Sequence, residues 1–314
     1  MPNTVIAYDP VFLKHQVGPG HPESPGRLEV VVKALENDSY LSDLKWHKPR
    51  QATEEEIRYN HARSYVKLVQ ARVEQGFSSL GFPDTGINSW SWQAALSAAG
   101  AVLDGVDMVM QRKAGNVFCP VRPPGHHARS AMGMGFCLFN NIALGAWYAW
   151  EKYQLERILI IDWDAHHGNG TQEAFYEYKE IFSFSIHQDM WYPFTGHAYE
   201  TGEGEGRGAT MNIPLPAGTT GREVVKIFTE KLLPAMDNYR PELVLISAGF
   251  DALKEDPLCR LGFEIEDFSV LTDIAMEIAD RYAQGRIVSA LEGGYDLNGL
   301  AKSCAVHVKR LLGK

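Results

Sequence analysis

The sequence is poor in cysteine, and its cysteines form no recognisable pair. The four of them, Cys119, Cys137, Cys259 and Cys304, lie far apart in mostly apolar surroundings and make no CxxC motif. Such spacing is typical of reduced thiols rather than of a disulfide framework. We therefore expect a protein of a reducing compartment.

Basic charge and long apolar runs are also lacking. The chain has 30 lysines and arginines against 39 aspartates and glutamates, which gives a net charge of −9. This balance argues against the broad basic surfaces that bind nucleic acid or anionic membranes. No signal peptide is recognisable, and no run approaches the roughly 18 apolar residues that span a bilayer. We expect a cytoplasmic protein with neither nucleic acid nor membrane as a partner, and no feature indicates its oligomeric state.

What the sequence does have is an alternation of short apolar runs and helical patterns, without repeats or linkers. The predicted strands cover 4–8, 116–121, 157–162, 181–186, 209–215, 242–248 and 286–291. The predicted helices cover 91–114, 140–153, 220–239, 266–284 and 297–312, and a capping box at 53–56 starts another. This order indicates one α/β domain over residues 1–314, with a mainly parallel sheet covered by helices on both faces.

Three polar, glycine-marked segments each follow an apolar strand. They read DWDAHHGNG (162–170), SAGFDALKEDPL (247–258) and EGGYDL (292–297). In open α/β sheets, ligands gather at the edge where the strands reach their carboxyl ends. We therefore expect the three segments to form one site.

The first segment indicates a metal site. In extended chain, Asp162, Asp164 and His166 would share one face. Carboxylate and imidazole ligands suit zinc or another divalent transition ion, and Asp251 is the natural third ligand from another strand end. Two other interpretations stay open: the carboxylates cap a helix that begins near Thr171, with the histidines as satisfied core groups, or Asp251 only caps its own loop.

A second candidate group is the tandem histidine pair in RPPGHHA, His126 and His127. Two adjacent imidazoles are costly to charge together, so we expect at least one to be neutral near pH 7 and available as a base. The alternative is an ordinary pair of surface histidines.

Six motifs of the sequence together resemble the zinc-dependent histone deacetylase superfamily, including its bacterial and acetylpolyamine-amidohydrolase members. They are RPPGHHA, GFCLFNN, DWDAHHGNG, SIHQ, SAGFDALKEDPL and EGGY. The resemblance runs from about residue 18 to about residue 300. It implies an arginase/deacetylase-like fold with one Zn²⁺ per chain. The implied reaction removes acetyl or other acyl groups from an acylated lysine peptide or a small acylated amine.

The resemblance also implies roles for individual residues. The zinc ligands would be Asp164, His166 and Asp251. His127 would be the general base and then the acid, and Asp162 would orient His126. The Tyr295 hydroxyl would polarise the amide carbonyl. Asn169 stands where some deacetylases carry an aspartate that pairs with the second histidine of the tandem pair.

Further implied residues surround this centre. Phe136, next to Gly135, and Tyr192 would flank a narrow acyl-lysine tunnel, although the family usually has phenylalanine at both places. Leu258 would lie at the rim, and Arg27 would line an internal cavity that releases acetate. Two structural K⁺ or Na⁺ sites are also implied, one at Asp162, Asp164, His166, Ser185 and Ile186, and one at Phe175, Tyr178 and Ile181.

Several functions compete at this point. An acetylpolyamine or small-acylamide deacetylase would use the same core. Arginase-type ureohydrolases would need a second metal, whose aspartates are missing because the stretches read DAHHG and SAGFD. A non-catalytic acyl-lysine binding module would be favoured only if Tyr295 or a tandem histidine were absent.

Overall fold

The computed structural model describes residues 4–82 and 84–314, and its described strands form one parallel sheet of eight. In chain order the strands are β1 (Thr4–Ala7), β2 (Lys45–His47), β3 (Asn116–Cys119), β4 (Ile158–Asp162), β5 (Ile181–Gln188), β6 (Thr210–Leu215), β7 (Leu243–Ala248) and β8 (Ile287–Leu291). Across the sheet they lie in the order β2-β1-β3-β8-β7-β4-β5-β6.

Helices connect and flank these strands. They are α1 (Pro25–Asn37), α2 (Glu54–Ile57), α3 (Arg63–Glu74), α4 (Ser91–Met110), α5 (Asn141–Tyr153), α6 (Asn169–Phe175), α7 (Gly221–Ile227), α8 (Leu233–Tyr239), α9 (Ile265–Tyr282) and α10 (Leu297–Leu311). A π-helical turn at Phe228–Leu232 joins α7 to α8. Within the described ranges, no helix combines the length and the apolar character that crossing a membrane would require.

The central strands of the sheet are buried on both faces. Every residue of β3, β4, β7 and β8 is buried. Continuous apolar runs such as Ile158–Ile161 are what a parallel strand covered by helices needs, because both of its faces meet other side chains. Helices α4 and α5 pack against each other, and α10 packs against α1 and α9.

The predicted α/β class is confirmed, and three of the elements that the sequence patterns missed have local explanations. Strand β2 has only three residues and lies largely exposed at the edge of the sheet, so it carries no apolar run. Helix α1 contains three consecutive valines, which are more typical of strands. Its helical state is stabilised by burial of Leu28, Val31 and Leu35 and by packing on α10. Helix α3 has an apolar stripe interrupted by charged residues.

The predicted capping box forms, but the helix that it starts is a single turn. Thr53 Oγ1 accepts a hydrogen bond from the Glu56 amide, and the Glu56 carboxylate accepts one from the Thr53 amide. Helix α2 ends at Ile57, so the next long helix is α3.

The order of the strands brings the predicted site together. Strands β3, β8, β7 and β4 are consecutive neighbours, and all run in the same direction. The carboxyl ends of β3, β8, β7 and β4 are followed, in this order, by the tandem histidines, EGGYDL, GFDALKEDPL and WDAHHG. The expectation that the three strand-end segments meet at one edge is therefore confirmed.

Candidate metal centre and active site

The centre of the site is a buried group of one imidazole and two carboxylates. Asp164, His166 and Asp251 each offer a ligand atom, and these atoms lie within 4.8 Å of one another. His166 Nδ1 is 3.1 Å from Asp164 Oδ1 and 2.9 Å from Asp251 Oδ2. Burial and the neighbouring charge of Asp164 raise the pKa of Asp251. Two buried carboxylates aimed at one point with an imidazole nitrogen form a donor set that fits a zinc ion.

The loop that carries two of these ligands is bent, so the expectation of an extended chain was wrong. Strand β4 ends at Asp162, and the chain then turns at each carboxylate. Asp162 Oδ1 accepts a hydrogen bond from the Asp164 amide at 3.1 Å, and Asp164 Oδ1 accepts one from the His166 amide at 2.8 Å. These side-chain turns replace the alternation of a strand. As a result Asp162 points to the tandem histidines, whereas Asp164 and His166 point to Asp251.

Neither structural alternative describes these residues. Helix α6 begins at Asn169, and no side-chain hydrogen bond caps it at Gly168, so the carboxylates are not its caps. Asp251 Oδ1 accepts a hydrogen bond from the Ala165 amide at 2.8 Å, which ties the two ligand-bearing loops together rather than capping its own.

Two glycines make room for the ligand carboxylates. A Cβ atom at Gly249 would overlap the Asp164 carboxylate, and one at Gly293 would overlap the Asp251 carboxylate. The Gly293 amide also donates a hydrogen bond to Asp164 Oδ2 at 2.7 Å. The glycines of SAGFD and EGGY are thus required by close approach of backbone to the site.

The tandem histidines are buried and have opposite electrostatic surroundings. His126 Nδ1 lies 2.9 Å from Asp162 Oδ2. Burial disfavours its charge, but Asp162 and Asp164 outweigh that effect and raise the pKa of His126 to about 10. His127 Nδ1 lies 2.9 Å from Asn169 Oδ1. Burial, followed by the positive charges of His126 and His166, lowers the pKa of His127 well below its usual value. The two pKa values are thus shifted in opposite directions, which favours a charged His126 beside a neutral His127.

Sequence reasoning missed the residue that positions the pair. The buried Glu292 carboxylate accepts hydrogen bonds from the amides of Gly125 at 2.6 Å and His126 at 3.1 Å. Burial raises the pKa of Glu292 to about 7. The available signal was a glutamate directly after the buried strand β8, which is an expensive position for a carboxyl group.

A pocket of about 410 Å³ leads from the surface to this centre. Its lining residues are Asp84, His127, Gly135, Phe136, His166, Trp191, Tyr192, Phe194, Leu258 and Tyr295. The Phe136 and Tyr295 rings meet edge to face with centroids 6.0 Å apart, and Tyr192 faces His127 at 5.2 Å. Gly135 has a φ of 54°, and a Cβ atom there would overlap the His127 ring. All four residues predicted for the tunnel and its rim line this pocket.

Asp84, Trp191 and Phe194 also line the pocket, and the sequence patterns did not select them. They lie in loops, where no periodicity marks which side chain turns inward. Trp191 Nε1 donates a hydrogen bond to the Leu258 carbonyl at 2.8 Å, so two rim segments that are distant in sequence touch directly.

Arg27 is fully buried beneath the EGGY loop. Its Nε donates to the Gly294 carbonyl at 2.6 Å and its Nη2 to the Glu292 carbonyl at 2.5 Å. The guanidinium carbon lies 4.8 Å from the centre of the Tyr295 ring. Its role in an acetate-release cavity stays a prediction.

The two groups of residues predicted for monovalent cations are separated along β5. Ser185 pairs with Asp162 at the carboxyl end of β4, whereas Ile181 pairs with Ile158 at its start. Four residues of strand correspond to about 13 Å. The first group, which includes Ile186, therefore adjoins the metal centre, and the second, with Phe175 and Tyr178, lies at the other end of the strand; cation binding at both stays a prediction.

Comparison with known proteins agrees with this geometry. Residues 21–311 match the family model described as the histone deacetylase domain. A probable deacetylase of Archaeoglobus fulgidus is 36% identical, covering 94% of this chain and 82% of its own. A histone deacetylase-like amidohydrolase of Pseudomonas aeruginosa is 33% identical, covering 93% and 81%. The crystal structure of the HDA15 HD domain superposes with a TM-score of 0.92 at 32% identity, covering 100% of this chain and 89% of that one. The chain belongs to the histone deacetylase family.

Proposed function

We propose that this protein is a zinc-dependent amidohydrolase that removes acetyl or other acyl groups from lysine side chains or related acylated amines. One observation carries the proposal: the Asp164, His166 and Asp251 cluster borders the same narrow aromatic pocket that holds His127 and Tyr295. An acyl arm entering this pocket would bring its carbonyl to a metal, a neutral base and a phenol together.

Zinc would be held by Asp164, His166 and Asp251, where it supplies a Lewis acid that activates water and polarises the acyl carbonyl. Two carboxylate ligands neutralise the charge of the ion, which weakens this effect. The chain must therefore contribute further polarisation of its own, and the groups around the pocket are suited to do so.

His127 is suited to be the base. Because its Nδ1 faces the Asn169 carbonyl oxygen, we assign the proton to Nδ1, and Nε2 is free to accept another. Attack of the water oxygen on the acyl carbon would transfer a water proton to Nε2. Cleavage of the C–N bond would then return a proton from His127 to the amine, so that a carboxylic acid and an amine leave. His126, whose raised pKa favours the charged form, would stabilise the negative charge that develops on the oxygen.

Tyr295 is suited to bind the acyl oxygen. Burial raises the pKa of its phenol well above the usual value, although Arg27 opposes this. The hydroxyl therefore stays protonated and donates a hydrogen bond to the oxygen as negative charge develops there. A module that only binds acyl-lysine has no need of a protonated phenol, a neutral base and a metal cluster in one pocket.

The arginase-type alternative is disfavoured by the lack of space for a second pair of metal ligands. Gly168 and Gly249 stand where the aspartates of DAHxD and SxDxD would be. A Cβ atom at Gly168 would overlap the Asp162 carboxylate, and one at Gly249 would overlap the Asp164 carboxylate. A larger side chain at Gly168 would displace Asp162, and one at Gly249 would displace Asp164, which would be a ligand of the first metal.

A deacylation screen tests the proposal. It compares kcat/KM across acetyl-lysine peptides, longer acyl-lysines, acetylated polyamines and small acylamides, for the wild type and for Tyr295→Phe. We expect Tyr295→Phe to lower kcat by roughly 10²–10³ with little change in substrate affinity, as for loss of an oxyanion donor. Tyr199→Phe is the matched control, since Tyr199 is 78% exposed. An unchanged kcat in Tyr295→Phe would remove this residue from the mechanism.

A further inference from the structure

Tyr295 stands on a stretch of chain that has no regular structure to hold it. It follows the end of β8 and precedes the start of α10. The two residues before it are glycines, and Gly294 has a φ of 122°, a conformation that other residues rarely adopt. The backbone before Tyr295 is held at the Gly293 amide, which donates to Asp164, and at the Gly294 carbonyl, which accepts from Arg27. The contact that acts directly on the backbone of Tyr295 is the one made by its own amide.

The Tyr295 amide is bound by the carboxylate of Asp256, from the loop after β7. Asp256 Oδ2 accepts hydrogen bonds from the amides of Tyr295 at 2.6 Å and Asp296 at 3.2 Å. Its Oδ1 accepts one from the Leu258 amide at 2.9 Å. The residue is 6% exposed, so these bonds form where water competes little.

The bonds to Asp256 are not needed to cap the helix. Helix α10 has its own N-cap, because the Asp296 side chain accepts a hydrogen bond from the Gly299 amide at 2.6 Å. Besides the amide of the N-cap residue Asp296, Asp256 binds the amide one residue earlier, that of Tyr295, which lies outside the helix.

The same carboxylate also reaches the rim of the pocket. Leu258, whose amide it binds, lines the mouth, and the Leu258 carbonyl accepts the indole hydrogen bond of Trp191. A continuous set of contacts thus joins Trp191 and Leu258 at the rim to Tyr295 at the floor through one side chain.

From this geometry we infer that Asp256 is a positioning residue that holds the Tyr295 phenol in its acyl-binding position and fixes it relative to the rim. The inference rests on the proposed amide hydrolysis, since it concerns the oxygen that Tyr295 binds. Asp256 is not a member of the metal-ligand cluster, and it acts on the reaction only through the backbone of Tyr295 and Leu258.

A double-mutant cycle tests this role. Asp256→Asn keeps the size of the side chain but turns an amide group toward backbone N–H donors, so it weakens the hydrogen bond to the Tyr295 amide without opening a cavity. The cycle measures kcat and KM for wild type, Asp256→Asn, Tyr295→Phe and the double variant on the best acetyl-lysine peptide. Asp9→Asn is the control, because Asp9 also accepts a backbone hydrogen bond, from Val11, and is not among the residues that line the pocket.

We expect Asp256→Asn to lower kcat about tenfold or more in the wild type, with KM changed less than threefold and zinc content unchanged. In the Tyr295→Phe background, the same substitution should change kcat less than twofold, because the phenol that it positions is already gone. An equal loss in both backgrounds would overturn the inference, since it would mean that Asp256 does not act through the Tyr295 hydroxyl.

Failure of the proposed function would look different. A wild type that hydrolyses none of the acyl substrates would remove the amidohydrolase assignment before the cycle begins. If Asp256→Asn does not fold, Asp256→Glu takes its place in the same cycle, because it keeps the carboxylate but moves it. The same outcomes then support or overturn the inference.

Discussion

The hydroxyl of Tyr192 donates a 2.8 Å hydrogen bond to Oδ2 of Asp84 across the mouth of the pocket. The same oxygen accepts the Gly135 amide at 3.0 Å, and Oδ1 accepts the Thr85 hydroxyl at 3.0 Å. One carboxylate thereby ties opposite walls of the pocket together. A phenylalanine at position 192 would have no hydroxyl with which to make this contact.

Replacing Tyr192 by phenylalanine should loosen the mouth of the pocket. The substitution keeps the ring but leaves Asp84 with one partner fewer, and a hydrogen bond to a charged group is worth about 1.5–3 kcal/mol. We expect KM for an acetyl-lysine peptide to rise by about threefold to tenfold, with kcat within twofold, because the change acts on binding rather than on the reacting oxygen. Steady-state kinetics check this, with Tyr199→Phe as control; an unchanged KM would show that the contact does not shape the mouth.

Metal binding should stabilise the protein through Asp251. We expect purified protein to hold about one divalent ion per chain, and Asp251→Ala to lose most of it. Zinc added to metal-free protein at 100 times its Kd should raise the free energy of unfolding by about 2.7 kcal/mol. Metal analysis and denaturant titration check both, with the exposed Asp280→Ala as control. Two tightly bound ions per chain would favour a ureohydrolase instead.

The partner of His127 should set the acidic limb of the pH profile. An amide stabilises an imidazolium less than a carboxylate does, so Asn169→Asp should raise the pKa of His127. Because the base must be unprotonated, the acidic limb of kcat/KM should move to higher pH, by about one pH unit or more. The exposed Asn238→Asp is the control. A limb that stays in place, or moves to lower pH, would contradict the pairing seen at 2.9 Å.

The choice between peptides and polyamines should respond to Leu258. A carboxylate at the mouth attracts the secondary ammonium of a polyamine, whereas leucine offers only apolar contact. We expect the wild type to prefer acetyl-lysine peptides over N8-acetylspermidine, and Leu258→Glu to shift the kcat/KM ratio toward the polyamine about tenfold, or about 1.4 kcal/mol. Leu258→Gln controls for size. A wild type that strongly prefers the polyamine would mean that another rim carboxylate, such as Asp84, decides.

Acid should destabilise the fold partly through His307. This residue is fully buried between the hydroxyls of Thr272 and Ser289, at 2.8 and 2.9 Å, and burial lowers its pKa to about 3. Below the usual histidine pKa of about 6.5, His307 binds a proton in the unfolded chain but stays neutral in the folded protein. The contribution of the neutral His307 to the free energy of unfolding is therefore complete above pH 6.5 and is lost as the pH falls toward 3.

The measurement is the free energy of unfolding between pH 6 and pH 4. His307→Gln removes the proton uptake, so its stability should fall less steeply than that of the wild type, by about 1.4 kcal/mol per pH unit. At pH 7 the variant should be the less stable protein, since both hydroxyls lose a matched partner. His197→Gln, at a partly exposed histidine, is the control. Parallel pH dependences for His307→Gln and wild type would refute the argument.

The sequence by itself determined the sheet and the approximate place of the site. Apolar runs that alternate with helical patterns specify parallel strands, and parallel strands bring their carboxyl ends to one edge. That rule was enough to bring Asp164 and Asp251 together from segments far apart in the chain. It was not enough to describe the loop, because the turns at Asp162 and Asp164 depend on side-chain hydrogen bonds that no hydrophobic period reveals.

Only the tertiary structure decided which loop residues join the site and how they are charged. Tyr192 meets Asp84 across 108 positions of sequence, and Asp256 meets Tyr295 across 39. Such contacts depend on the packing of whole elements rather than on local spacing, so a single sequence carries no signal for them. The opposite pKa shifts of His126 and His127 likewise follow from burial and from the charges around each ring, which neighbouring positions in the chain do not fix.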